Sequence, residues 1–346
     1  MRALRHDAGK TRLVADFPDV VAGPGEARVR VSLAGIGPAD IKAARQGHGA
    51  SLTLGHEFVG VVDLVNVPAD AAPALRERAA LKGRRVVVSP SILCGHCEMC
   101  RAGLSAHCRN RRVIGLYGRE GCFADYVVVP LGNLVAVPDR VEDERAVLAV
   151  TLGAALHTAQ MIRAESKSFV TVLGDTLLAL LTSQALTRVN ASVRLLGARR
   201  DRMTLCERWG VKHRLIEEAG RRQDQDAVID CTGSAAGLRM AVQHVRPRGR
   251  IVLASPGASA PFAPGQPLAD EPDAAWSAPV DLTPVITNEV QVLGCRDGLL
   301  PEAVGLLKRQ EIDTAGLVTG RYALDEAMAA MEAAGDERQI KVVLKI

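Results

Sequence analysis

Four cysteines lie close enough together to act as one chemical group: Cys94, Cys97, Cys100 and Cys108, spaced C-x2-C-x2-C-x7-C. Thiolates at this spacing supply the four soft ligands of a closed tetrahedral zinc site at little loop-closure cost. Gly95 and Gly103 let the chain turn sharply around an ion. Iron–sulfur clusters also use four closely spaced thiolates, but the ferredoxin-type run follows its last cysteine with proline after a gap of about three residues. Here the gap is seven residues and Arg109 follows. The pattern reads as one structural zinc ion. In a chain with eight cysteines it argues for a reducing compartment rather than a disulfide framework.

A second pattern runs Gly174-Asp175-Thr176-Leu177-Leu178-Ala179, after an apolar strand-like run and at the opening of a helical stretch. A Gly-x-Gly-x-x-Gly/Ala loop in that context receives a dinucleotide pyrophosphate on helix N-terminal amides. Gly174 supplies the tight turn, whereas Thr176 puts a β-branched side chain where the middle glycine lets the backbone approach the phosphates. Cofactor choice is read at the end of the second strand, where an acid would pair with the ribose 2′-hydroxyl of NAD. This chain has Gly197-Ala198-Arg199-Arg200, with Asp201 late. A small residue followed by two arginines favours the 2′-phosphate of NADP through charge-assisted contacts, with NAD as the alternative. The bland reading is that both arginines are solvated residues of a helix start.

The elements that must position these groups fall into two textures. Residues 1 to about 145 are rich in Val and Gly, with short alternating runs such as Val29-Arg30-Val31-Ser32-Leu33, and read as β-rich. From about Val150, apolar runs alternate with helical stretches. Phe169–Gly174, Ser192–Gly197, Ala227–Asp230 and Arg250–Ala254 read as strands; Leu177–Val189 and Met203–Trp209 read as helices. That alternation predicts a parallel sheet covered on both faces, an α/β arrangement. Residues 256–284 carry seven prolines and read as a surface excursion, with a lid over a cleft as the alternative. Helices are expected over Pro301–Gln310 and Leu324–Ala334.

With 346 residues, 48% hydrophobic and 24% charged, the chain has material for about two domains. The formal net charge of +4 is scattered and aromatics are only 3%, so nucleic acid is not an expected partner. No membrane span is expected, since no apolar run reaches about 18 residues. Nor does the N-terminus carry the apolar run of a signal peptide, which leaves the cytoplasm as the expected location.

Gly55-His56-Glu57, then Gly83-Arg84-Arg85-Val86, the four-cysteine loop and Gly121-Cys122-Phe123-Ala124-Asp125-Tyr126-Val127 follow one another in order. That order resembles the zinc-containing alcohol dehydrogenases of the medium-chain dehydrogenase/reductase superfamily, from about Ala3 to Leu344. The resemblance implies a GroES-like β-rich catalytic domain (residues 1–145 and 295–346) and an inserted Rossmann domain (146–294), a doubly wound parallel sheet. It also implies a homodimer joined through the Rossmann sheet edge.

The resemblance further implies a catalytic zinc with three protein ligands. The first is normally a cysteine, but the segment reads Gly35-Ile36-Gly37-Pro38-Ala39-Asp40, with Gly37 at the ligand position and Ala39 in place of a proton-relay hydroxyl. The second ligand is present as His56; Val150 stands at the third. With two of three ligands missing, His56, Glu57 and Asp40 are expected to survive as polar groups that position or protonate a substrate. Zinc-free relatives reduce activated substrates such as quinones or enones, where hydrogen-bond donors suffice. The expected activity is NAD(P)-dependent hydride transfer, NADP preferred, to or from a small carbonyl, enone or alcohol. The alternative is a non-redox or regulatory descendant that keeps the scaffold and the structural zinc.

Overall fold

The architecture is that of a computed structural model, which describes residues 1–46, 51–162, 168–189, 191–220, 222–255 and 278–346. Contacts divide it into two units, one holding Met1–Val150 and Leu300–Ile346, the other holding the described residues between them.

In the first unit the strand Glu26–Ile36 buries Ala27, Val29 and Val31 on one face and becomes buried throughout at its C-terminal end. It is the centre of a seven-stranded sheet, flanked by Glu57–Asn66 on one side and Lys341–Lys345 on the other, both antiparallel to it. The order runs Leu134–Ala136, Arg85–Val88, Glu57–Asn66, Glu26–Ile36, Lys341–Lys345, Val318–Ala323, with Tyr126–Pro130 also paired to Glu26–Ile36. Leu4, Leu54, Phe58, Ile114, Phe123 and Leu131 are each fully buried in its core. The pairing Gly35↔Glu57 and Gly35↔Val343 brings the ends of three strands together, and the functional groups below gather there.

The second unit is a six-stranded sheet in which every pairing is parallel. Its order is Lys212–Leu215, Ser192–Gly197, Phe169–Leu173, Gln225–Asp230, Val245–Leu253, Gln291–Gly294. Numbered within the sheet this is 3-2-1-4-5-6, the order of dinucleotide-binding folds, with the switch point beside the C-terminal end of Phe169–Leu173. Phe169–Leu173 and Gln225–Asp230 are buried almost throughout, as central strands covered on both faces are. The mixed α/β class read from the sequence is the observed one.

Three elements differ from expectation. Lys212–Leu215 forms a third strand although three of its four residues are Lys, His and Arg, because it is an edge with one neighbour. The helix expected over Met203–Trp209 is an α-turn at Arg200–Met203 followed by 3-10 turns over Thr204–Trp209, ended by Gly210 in a left-handed conformation. A helix at Pro38–Gln46 was not anticipated; Pro38 starts it and Asp40 lies in its first turn. Of the proline-rich segment, residues 256–277 lie outside the described residues.

Candidate functional site

The Gly-His-Glu segment is held by backbone geometry. Gly55 has φ +97°, and a Cβ built there would fall 2.4 Å from the Phe123 ring. The Cys122 amide donates to the Gly55 carbonyl (3.0 Å) and the Phe123 amide to the Leu54 carbonyl (2.9 Å), which fixes the turn that delivers His56 to the head of strand Glu57–Asn66.

Asp40 meets His56 from the helix Pro38–Gln46. One of its oxygens, Oδ2, accepts from the Gly37 amide (2.8 Å); the other, Oδ1, lies 2.8 Å from His56 Nδ1. Asp40 is fully buried, and the His56 side chain is 12% exposed. A carboxylate only accepts, so Nδ1 carries the proton in this contact and Nε2 is left to act on a ligand. Glu57 Oε1 is 3.8 Å from that Nε2, beyond hydrogen-bond length. The other oxygen, Oε2, is held at 2.5 Å by the ammonium of Lys341, itself 4% exposed. Gly35 makes room for this lysine: a Cβ there would lie 2.6 Å from Lys341 Cε.

Burial of the imidazole works against its charge. The Asp40 carboxylate opposes that by charge and by hydrogen bond, Glu57 adds to it, and Lys341 pulls the other way; the balance raises His56 above the ordinary histidine value. A buried imidazole that favours its charged form suits a proton donor to a developing alkoxide.

Does this pocket fit a catalytic zinc? Gly37 offers no ligand atom, although its side-chain direction is right: a Cβ there would lie 3.3 Å from His56 Cε1. Val150, half-buried in the helix Ala149–Met161, offers none either. Glu57 is engaged by Lys341. The residues present do not make up a three-ligand set.

The four cysteines do fit an ion. Their sulfurs all lie within 4.8 Å of one another, and Cys108 Sγ is 3.5 Å from Cys94 Sγ and 3.9 Å from Cys97 Sγ. A tetrahedron with zinc–sulfur bonds of about 2.3 Å has edges of roughly 3.8 Å. Cys94 is held down to about 6, first by a hydrogen bond from the His96 backbone, so one thiolate is already favoured. Among the described residues this is the group of three or more such side chains placed to hold a metal. Of the remaining thiols, Cys206 and Cys231 are buried and pushed up by that burial, as core cysteines are.

In the second unit Gly174 has φ +101°, the turn that ends Phe169–Leu173, and its amide donates to the Leu196 carbonyl (2.8 Å). The exposed Thr176 is the N-cap of the helix Leu177–Thr187, its hydroxyl accepting from the Ala179 amide at 3.3 Å. Leu177 is buried and Leu178 half-buried, so their side chains anchor the helix while their amides head it. This strand–turn–helix fits a pyrophosphate at the sheet's switch point. Arg199 and Arg200 lie at the end of strand Ser192–Gly197, but each meets an acid: Arg199 Nη2 donates to Asp201 (2.9 Å) and Arg200 Nη2 to Glu218 (2.7 Å). Sequence reasoning gave no role to Lys341, which opens the strand Lys341–Lys345 ahead of its apolar run, and gave Asp175 no role of its own within the loop.

These observations define a class: a β-rich unit with a four-cysteine loop placed to hold a metal, joined in one chain to a dinucleotide-type parallel sheet. The alcohol dehydrogenase GroES-like domain family matches residues 23–139. An L-threonine 3-dehydrogenase from Chelativorans sp. (strain BNC1) is 30% identical over 248 residues, covering 67% of this chain and 69% of that protein. A solved protein from Sinorhizobium meliloti 1021, described as a zinc-binding dehydrogenase bound to NADP, superposes with TM-score 0.82 at 25% identity, covering 100% of this chain and 99% of its own. A short chain alcohol dehydrogenase from Escherichia coli CFT073, complexed with NADH, shares the fold with TM-score 0.83 at 23% identity, over 100% and 99% of the two chains. The chain belongs to the alcohol dehydrogenase-like branch of the medium-chain dehydrogenase/reductase superfamily, a family of NAD(P)-dependent oxidoreductases.

Proposed function

We propose that this protein is an NAD(P)-dependent oxidoreductase that works without a catalytic zinc, moving hydride to or from a small carbonyl, enone or alcohol. The observation that carries the reading is the Asp40–His56 contact beside Gly37: the proton-handling pair is built, and the ligand next to it is gone. When bound, the nicotinamide would supply or accept the hydride. Asp40 fixes the imidazole by holding its Nδ1 proton. His56 gives its Nε2 proton to the substrate oxygen in reduction and takes it back in oxidation, which balances the hydride. Glu57, held by Lys341, adds negative charge that favours the imidazolium.

The Cys94, Cys97, Cys100 and Cys108 cluster holds one structural zinc per chain in this reading. Arg199 and Arg200 stand where a 2′-phosphate would be met, but each is paired with a carboxylate that it would have to leave to reach one. The edge strand Gln291–Gly294 exposes Val292 (40%), with Ile286 (78%) exposed in the preceding helix. Covering that edge with a second copy gives a homodimer; light scattering on Ile286→Asp, expected to read as monomer, tests it. No described helix is long and apolar enough to cross a membrane, and the proposed location is the cytoplasm.

The test is a screen of enones, quinones, aldehydes and alcohols against wild type and His56→Gln, with zinc content measured on the same samples. Turnover at one zinc per chain, reduced by about 10²–10⁴-fold in His56→Gln, is expected. Two zinc ions per chain, or turnover unaffected by the substitution, would overturn it.

A further inference from the structure

Asp175 lies in the phosphate loop, yet its side chain does not face the helix it precedes. It reaches across to the neighbouring strand, where Oδ2 accepts from the backbone amides of Ala198 (2.9 Å) and Arg199 (2.7 Å). Its other oxygen, Oδ1, is 3.3 Å from Arg202 Nη1, and the side chain is 11% exposed. The space it fills is the space Gly197 leaves: a Cβ on Gly197 would lie 2.9 Å from both Asp175 Cβ and Oδ2. A side chain at 197 and the present position of Asp175 therefore exclude each other. In dinucleotide-binding sheets the end of this second strand normally carries the acid that meets the adenosine ribose.

We infer that Asp175 takes the place of that missing strand-end acid, so that the carboxylate at the ribose position comes from the phosphate loop and selects a 2′-hydroxyl over a 2′-phosphate. The inference rests on the reading that this chain binds a nicotinamide dinucleotide. A 2′-phosphate at this strand end would be brought beside a carboxylate fixed by two amides and an arginine, and like charges so placed repel strongly. Nor is uncompensated positive charge on offer from the three arginines that follow. Arg199 meets Asp201, Arg200 meets Glu218 and Arg202 meets Asp175 itself. A ribose hydroxyl, by contrast, donates to a carboxylate without disturbing these pairs. The sequence-based preference for NADP counted the arginines without their acids.

Calorimetry on the whole protein tests this with the adenosine halves alone, ADP-ribose and 2′-phospho-ADP-ribose. Wild type is expected to bind ADP-ribose more tightly by about tenfold or more, and Asp175→Asn, which keeps an amide-accepting oxygen but loses the charge, to lose most of that difference. Equal or tighter binding of 2′-phospho-ADP-ribose by wild type would overturn the inference while leaving the oxidoreductase reading intact. Full retention of the difference in a folded Asp175→Asn would also overturn it, since a merely structural cap would not set the 2′-preference. If Asp175→Asn does not fold, the wild-type ratio decides alone. No binding of either ligand would remove the cofactor reading itself, and the inference with it.

Discussion

The Lys341 ammonium, carried by the last strand of the chain, is bonded to Glu57 Oε2 across 284 residues of sequence, and both groups are buried. The pair keeps Glu57 turned so that its second oxygen stands 3.8 Å from His56 Nε2, near enough to act through charge and too far to take the proton. The last strand thereby completes a row of alternating charge: Asp40, His56, Glu57, Lys341.

Removing one partner of that row leaves a buried charge uncompensated. Lys341→Met is expected to destabilise the first unit by about 3–5 kcal/mol. The double variant Lys341→Met/Glu57→Gln should recover much of the loss, since no lone carboxylate then remains. Urea unfolding of the four proteins in a cycle measures the coupling; strictly additive losses would show that the pair is not an energetic unit.

In the proposed mechanism Asp40 sets the proton chemistry. Because His56 is raised above the ordinary value of 6.5, its charged form is favoured by folding. Stability from this contact is full below the unfolded value and is lost as pH rises through the folded one. In the proposed carbonyl reduction the imidazolium is the donor, so the rate should fall over the same upward passage. Asp40→Asn removes the carboxylate charge that raises His56, and the fall should move to lower pH. A profile unchanged in Asp40→Asn would separate His56 from the proton step.

At the cysteine loop, Cys100→Ser should release the zinc and lower the melting temperature of the first unit, because a tetrahedral site with three sulfurs is open. Elemental analysis and calorimetry on the same preparation check it. Retained zinc and an unchanged melting temperature would show that the cluster is not a structural metal site.

The β-rich and parallel-sheet textures were legible in the sequence because strand periodicity and continuous apolar runs report burial directly. The cysteine loop was legible because its four cysteines are neighbours in the chain. The Asp40–His56–Glu57 grouping rested on family resemblance, and its geometry depends on the unanticipated helix at Pro38–Gln46. Lys341 was invisible for a different reason. Its partner is 284 residues away, and only the pairing of both strands with Glu26–Ile36 brings them together. The arginines at 199 and 200 were correctly placed at the strand end, but a sequence does not show that Asp201 and Glu218 face them.

The most direct test of the whole account is a fluorescence titration of the purified protein with NADH and with NADPH. Binding of a nicotinamide dinucleotide in the micromolar range, with NADH the tighter, is the predicted result. Binding of neither would contradict it: the chain would then be a dehydrogenase scaffold kept for another purpose, with Thr176 in the phosphate loop as the residue that closed the site.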